Sequence, residues 1–145
     1  MFTAEVLDAP LAKIDPKELI LGGHSFGGAT VLYTSTRLAK EQVKAVWTCD
    51  PWMFPQLEEI TSGKLQLHVP TIVINSETFH SDVLKAGKFD SWQALKDLVR
   101  HSKIKEKTEN VIIKETEHLY QLDLILLTPM DLFMGRGRLP HKNLA

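Results

Sequence analysis

The chain carries a single cysteine, Cys49, in 145 residues. An internal disulfide is therefore excluded, as is a metal site built on cysteine pairs. Neither sign of charge is in excess: 17 Lys and Arg stand against 18 Asp and Glu, a net charge of −1. No basic stripe exists to neutralise phosphates, so nucleic acid is not an expected partner. Long apolar runs are also missing, and none reaches the roughly 20 residues of a membrane-spanning helix. Residues 1–10 lack the basic and apolar regions of a signal peptide, which leaves the expected compartment between cytoplasmic and secreted. Repeats and low-complexity linkers are absent. With 43% hydrophobic residues, the composition is that of one globular domain or a piece of one.

Four short apolar runs read as strands: 18–21 (Glu-Leu-Ile-Leu), 43–48 (Val-Lys-Ala-Val-Trp-Thr), 71–75 (Thr-Ile-Val-Ile-Asn) and 110–113 (Asn-Val-Ile-Ile). The first and third are nearly continuous rather than alternating, the pattern of parallel strands covered on both faces. Helix-like segments separate them. Residues 26–40 follow the first run. Residues 91–101 place Trp92, Leu95 and Leu98 at helical spacing. A third candidate covers 119–127. Residues 51–67 read as irregular and partly polar, and 128–145 as loop. Alternating strands and helices predict an α/β fold.

Between the first strand and the first helix lies Gly22-Gly23-His24-Ser25-Phe26-Gly27-Gly28-Ala29-Thr30. Glycine-rich strand-to-helix turns serve either to cradle a phosphate or to present a nucleophile. The spacing from Gly23 to Gly28 suits a P-loop, but Ala29 stands where the phosphate-binding lysine belongs. Without that charge the main attraction for a polyphosphate is gone. Gly23-His24-Ser25-Phe26-Gly27, by contrast, is a complete G-x-S-x-G nucleophile elbow. Gly23 and Gly27 keep the strained turn free of side-chain collisions, and Gly28 lets the helix approach the sheet. Phe26, at the helix N-terminus, offers its amide to a developing oxyanion.

A serine hydroxyl needs a base within hydrogen-bond reach, and the base needs a carboxylate. In this arrangement the chain order is Ser, Asp or Glu, then His, with the acid and base just beyond later strands. Asp50 follows the second strand, Glu77 the third, and His118 the fourth. The other histidines fit less well. His24 lies inside the elbow, His68 precedes a strand, His80 comes before the last strand, His101 ends a helix and His141 is in the tail. Position alone leaves the acid open between Asp50 and Glu77, with fold analogy leaning to Glu77.

Residues 14–30 (Ile-Asp-Pro-Lys-Glu-Leu-Ile-Leu-Gly-Gly-His-Ser-Phe-Gly-Gly-Ala-Thr), 49–55 (Cys-Asp-Pro-Trp-Met-Phe-Pro), 74–79 (Ile-Asn-Ser-Glu-Thr-Phe) and Glu117-His118 resemble the platelet-activating factor acetylhydrolases. These are calcium-independent phospholipases A2 of α/β-hydrolase fold, with a mainly parallel sheet and flanking helices. The resemblance runs from about residue 11 to 123. Carried over by matching motif, it implies Ser25 as nucleophile, Asp50 as acid and His118 as base, with Glu77 in reserve. It implies no cofactor, and no metal motif such as H-E-x-x-H or an EF-hand loop is present. The implied substrate is a phospholipid with a short or oxidised sn-2 acyl ester. Partners would be that phospholipid and a peripheral membrane or lipoprotein surface. Trp52 and Phe54, flanking Met53, would line an apolar wall beside the acid, unless they pack the core.

Members of the family carry several strands before the elbow, and one early loop supplies a second oxyanion donor. Only 24 residues precede Ser25 here. The resemblance thus implies that residues 1–145 form the C-terminal portion of a single α/β-hydrolase domain. On that reading the isolated chain is expected to fold poorly and turn over little. Two further readings compete: a generic carboxylesterase or lipase of the same fold, and a non-catalytic remnant. A serine-directed probe separates the enzymes from the remnant, and sn-2 chain-length preference separates the two enzymes.

Overall fold

The computed structural model describes residues 19–79 and 90–122. Among the described residues, four strands form one parallel sheet in the order β1-β2-β3-β4: β1 is Leu19–His24, β2 Val43–Cys49, β3 Thr71–Ser76 and β4 Thr108–Ile113. Parallel neighbours need crossovers, and three helices with both ends among the described residues lie in the connections. They are α1 (Phe26–Arg37), α2 (Leu57–Thr61) and α3 (Ser91–His101). The α/β-hydrolase fold expected from the sequence is the fold observed, with strands, elbow and helices in the expected chain order.

One continuous core lies between the helices and the sheet. Leu32 of α1, Ile60 of α2, and Ala94, Leu95 and Leu98 of α3 pack with Val43, Val46 and Val73 of the strands. Because all three helices share this cluster, they cover the same face of the sheet. Leu32, Ile60 and Leu98 are fully buried, and each such side chain contributes roughly 1.5–3 kcal/mol. The bounds of α3 follow from its ends. The Asp90 carboxylate accepts the Gln93 amide at 2.9 Å as an N-cap, and Arg100 and His101 sit in the last turn, where the helix dipole favours cations.

Several expectations are corrected. The reading of both faces as covered holds for one face only among the described residues. Ile20 is 65% exposed and Trp47 45% exposed on the face away from the helices. The strand written as 18–21 runs on to His24, because Gly22 leaves space for the Trp47 ring on the neighbouring strand, which any Cβ would strike. The helix written as 26–40 stops at Arg37. Ser35 and Thr36 turn their hydroxyls onto the carbonyls of Leu32 and Tyr33, and Leu38 is already extended. The segment 51–67 is not irregular throughout. A 3-10 turn at Phe54–Gln56 runs into α2, while Leu65 and Leu67 enter the core. Of the helix expected at 119–127, the described part is a 3-10 turn at His118–Gln121. The rest of it, together with His80, His141 and 128–145, lies outside the described residues. No helix among the described residues is long and apolar enough to cross a membrane.

Candidate active site

All four strands point the same way, so their C-terminal ends gather at one edge of the sheet. In a parallel α/β sheet this edge is where ligands bind. His24 of β1 stands level with Cys49 of β2, Cys49 with Ile74 of β3, and Ser76 of β3 with Ile113 of β4. The loops leaving these positions carry Ser25, Asp50 and His118. Main-chain bonds extend the ladder one step beyond the strands. The Ser25 amide donates to the Cys49 carbonyl, the Asp50 amide to the Ile74 carbonyl and the Trp52 amide to the Ser25 carbonyl, each at 2.9 Å.

Ser25 has φ 56° and ψ −121°, and Asp50 has φ 42°. Side chains other than glycine rarely adopt such backbones, and the strain is held by the surrounding bonds. The turn at Ser25 is possible because Gly23 has no side chain: a Cβ there would lie about 2.5 Å from the Gly27 main chain. The expectation for Gly27 itself is not met, since a Cβ at Gly27 would meet nothing within 4 Å among the described residues. Gly28 is tight as expected, since a Cβ at that position would run into the Thr48 hydroxyl. Gly23→Ala is therefore expected to cost about 1–3 kcal/mol of stability, read by urea unfolding, while Gly27→Ala should be tolerated far better.

The geometry brings Ser25, Asp50 and His118 into one chain of hydrogen bonds. His118 Nε2 lies 2.9 Å from Ser25 Oγ, and His118 Nδ1 lies 3.2 Å from Asp50 Oδ2. A carboxylate only accepts, so Nδ1 carries the proton and Nε2 is left to accept from the serine hydroxyl. Asp50 is fully buried, and both of its carboxylate oxygens accept hydrogen bonds. Oδ1 accepts the Ser76 amide at 2.7 Å. Oδ2 accepts the Ser76 hydroxyl and, at 3.0 Å, the Gln121 side-chain amide.

Glu77, the reserve acid, points elsewhere. Its Oε2 accepts the Glu115 amide at 2.8 Å, and Glu115 has φ 58°. Thr78 adds two bonds to the Thr116 carbonyl, from its amide at 3.3 Å and its hydroxyl at 3.2 Å. Glu77 and Thr78 thus tie the β3 exit to the loop that delivers His118. The His118 ring lies between two others: Phe79 at 4.3 Å between centroids and 15° between planes, and His24 at 4.4 Å and 28°.

His24 has its pKa held below 6.5. Burial is the main cause and the nearby His118 adds to it, while the bond to the His118 carbonyl and the Asp50 charge oppose it. The sign follows directly: unfolded chains take up this proton near 6.5 and the folded chain only at lower pH, so acidification through that window favours unfolding. Burial, and then the Asp50 charge, push the Cys49 thiol up.

Phe26 opens α1, so its amide is among the first-turn donors to which the helix itself gives no acceptor. Phe26, Trp52 and Phe54 form a ladder of rings at this edge. Phe26 and Trp52 are 6.1 Å apart, and Trp52 and Phe54 6.0 Å. Phe26 is 58% and Phe54 48% exposed, whereas Met53 between Trp52 and Phe54 is buried in the core. The motif thus divides: Met53 packs, and its neighbours face outward or straddle the surface.

Donor atoms of His24, Asp50 and His118 all lie within 4.8 Å of one another, close enough to suggest metal ligands. The chemistry does not fit well. Both His118 nitrogens, both Asp50 oxygens and His24 Nε2 are already engaged in hydrogen bonds to protein partners.

Ser76, Gln121, Phe79 and the bond made by His24 were not legible as site features. Ser76 had one available signal, a small hydroxyl residue ending the strand next to Asp50. Gln121 had another, its position three residues after His118 on a tight turn.

Sequence comparison supplies the remaining observation. A profile of the family "Platelet-activating factor acetylhydrolase, isoform II" matches residues 8–138. Among curated relatives, the platelet-activating factor acetylhydrolase of Cavia porcellus is 38% identical over 78 residues, covering 52% of this chain and 17% of that protein. The Bos taurus protein of the same name is 35% identical over 77 residues, covering 52% and 16%. The Gallus gallus protein is 33% identical over 89 residues, covering 59% and 20%. The aligned stretch thus corresponds to about a fifth or less of each relative's length. Among solved structures, dienelactone hydrolase from Anabaena variabilis is similar with a TM-score of 0.48 and 21% identity, over 82% of this chain and 50% of that one. Since the profile takes in every described residue, from the strand that leads to Ser25 to the turn that holds His118, the chain belongs to the platelet-activating factor acetylhydrolase, isoform II, family.

Proposed function

We propose that this hydrolase-family chain carries a serine esterase site acting on the sn-2 acyl ester of platelet-activating-factor-like phospholipids. The observation that carries the reading is the unbroken chain Ser25 Oγ to His118 Nε2 at 2.9 Å and His118 Nδ1 to Asp50 Oδ2 at 3.2 Å. In this reading Ser25 Oγ attacks the ester carbonyl while His118 Nε2 takes its proton. Asp50 keeps the imidazole in the Nδ1–H tautomer and stabilises the imidazolium that forms. The Phe26 amide donates to the oxyanion, aided by the positive end of α1. The tetrahedral intermediate collapses, the glycerol oxygen leaves with the proton from His118, and an acyl-serine remains. Water then attacks with His118 again as base, releasing the carboxylic acid and restoring Ser25.

Substrate class rests on the aromatic ladder of Phe26, Trp52 and Phe54. Exposed rings beside a reactive serine favour an ester presented by a lipid, and the same rings would meet a membrane or lipoprotein surface. None of the steps calls on a metal. We expect hydrolysis of sn-2 acetyl and short oxidised chains to survive excess EDTA, and turnover to fall as an unmodified sn-2 chain lengthens. Release of free fatty acid from a chain-length series, with and without chelator, checks both. Loss of turnover on chelation, or a preference for long unmodified chains, would sink the substrate assignment. Fluorophosphonate labelling at Ser25 tests the nucleophile separately.

A further inference from the structure

In G-x-S-x-G the residue before the serine is free to vary, yet here it is a histidine in contact with another histidine. His24 Nε2 lies 2.9 Å from the main-chain carbonyl of His118, across 94 positions of sequence. A carbonyl only accepts, so Nε2 carries the proton and donates. The two rings also overlap at 4.4 Å, and Phe79 covers the other side of His118 at 4.3 Å. The loop that delivers His118 leaves an edge strand, β4, whose Val111, Ile112 and Ile113 are all exposed. Glu77 and Thr78 hold the start of that loop at Glu115 and Thr116, and the His24 bond holds it at His118 itself, beside Ser25.

We infer that His24 is a positioning residue for the base: its Nε2–H anchors the His118 main chain to the end of β1, one residue from the proposed nucleophile. This deepens the serine-esterase reading and rests on it. The anchor sets both ends of the critical distance from one strand, since Ser25 follows His24 directly. A shift of the two elements then moves the serine and the base together. His24 is suited to the task because burial lowers its pKa and so favours the neutral ring. A charged His24 would set a second cation against the imidazolium that forms during acyl transfer, whereas a neutral ring leaves it unopposed and stacked.

Three variants, made in a full-length protein that contains this segment, separate the hydrogen bond from the packing. His24→Ala removes both ring and N–H, His24→Phe keeps a ring but no donor, and His24→Gln keeps a donor at similar reach but no ring. The hydrogen-bond anchor predicts that Ala and Phe lower kcat on the order of 10- to 100-fold with KM within about twofold, because misplacing a reacting group by 1 Å costs about that much. Gln should recover most of the loss. Fluorophosphonate labelling, which needs the base but no lipid recognition, should slow in the same ranking. The opposite ranking, with Phe near the parent and Gln as poor as Ala, would reduce His24 to packing and overturn the proposal.

Imidazole nitrogen NMR gives a readout independent of turnover. The His118 Nε2 shift, which reports the hydrogen bond to Ser25, should be alike in the parent and in His24→Gln and displaced in His24→Phe. An unchanged Nε2 shift in all variants would also overturn the anchor. Ser25→Ala serves as the separate control: labelling that persists in that variant defeats the nucleophile assignment, while the NMR comparison still decides the role of His24.

Discussion

In a full-length protein that contains this segment, Ser25→Ala is expected to abolish fluorophosphonate labelling and to lower ester turnover by about 10⁴- to 10⁶-fold, the range seen when one member of a catalytic triad is removed. The expectation follows from position. Ser25 is the residue at φ 56°, ψ −121°, stationed between β1 and α1 with Oγ 2.9 Å from an imidazole nitrogen. The fold should survive the change. The Ser25 amide and carbonyl bonds to Cys49, Ala29 and Trp52 are main-chain bonds and do not depend on the hydroxyl. A variant that folds with parental stability and reacts no longer would separate chemistry from architecture. Labelling that moves to, or remains on, another serine would defeat the assignment.

Asp50→Asn is expected to lower turnover by about 10⁴-fold, the cost of holding the base in the wrong tautomer. The amide would present an N–H or a weaker acceptor to His118 Nδ1, which must itself donate. It would also leave a poorer acceptor for the Ser76 amide, the Ser76 hydroxyl and the Gln121 side chain, all of which converge on this buried carboxylate. A stability loss of roughly 1–3 kcal/mol should accompany the kinetic loss, since a buried network is left with mismatched partners. Glu77→Gln is the contrasting case. Its carboxylate accepts one main-chain amide, from Glu115, at an exposed position, so a several-fold effect at most is expected. Steady-state kinetics on both variants, with urea unfolding alongside, decides between them. A severe loss at Glu77 with a mild one at Asp50 would restore the choice that fold analogy favoured.

Legibility in the sequence divided along a physical line. Features set by neighbouring residues could be read directly. The Gly-x-Ser-x-Gly turn declared itself because Gly23 must lie against the Gly27 main chain, a contact within five residues. Helix α3 was bounded correctly because its cap, apolar stripe and basic last turn are all local. The cores of β2, β3 and β4 were visible as short apolar runs, and Asp50 and His118 as polar residues just beyond them.

What the sequence could not decide were relations across the sheet. His118 meets Asp50 over 68 positions and Ser25 over 93, and no periodicity spans such distances. Asp50 and Glu77 look alike in the chain, each a carboxylate just past a strand. They part only because Asp50 leaves β2 at a left-handed turn into the interior beside Ser76, while Glu77 turns toward the Glu115 loop. Ser76, Gln121 and His24 acquired their roles in the same way, from the parallel register that lines up the strand ends. The sequence by itself determined which residues were chemically equipped and which strand each follows. The tertiary structure alone decided which of them touch, because side-by-side packing of parallel strands sets contacts between residues that local interactions never bring together.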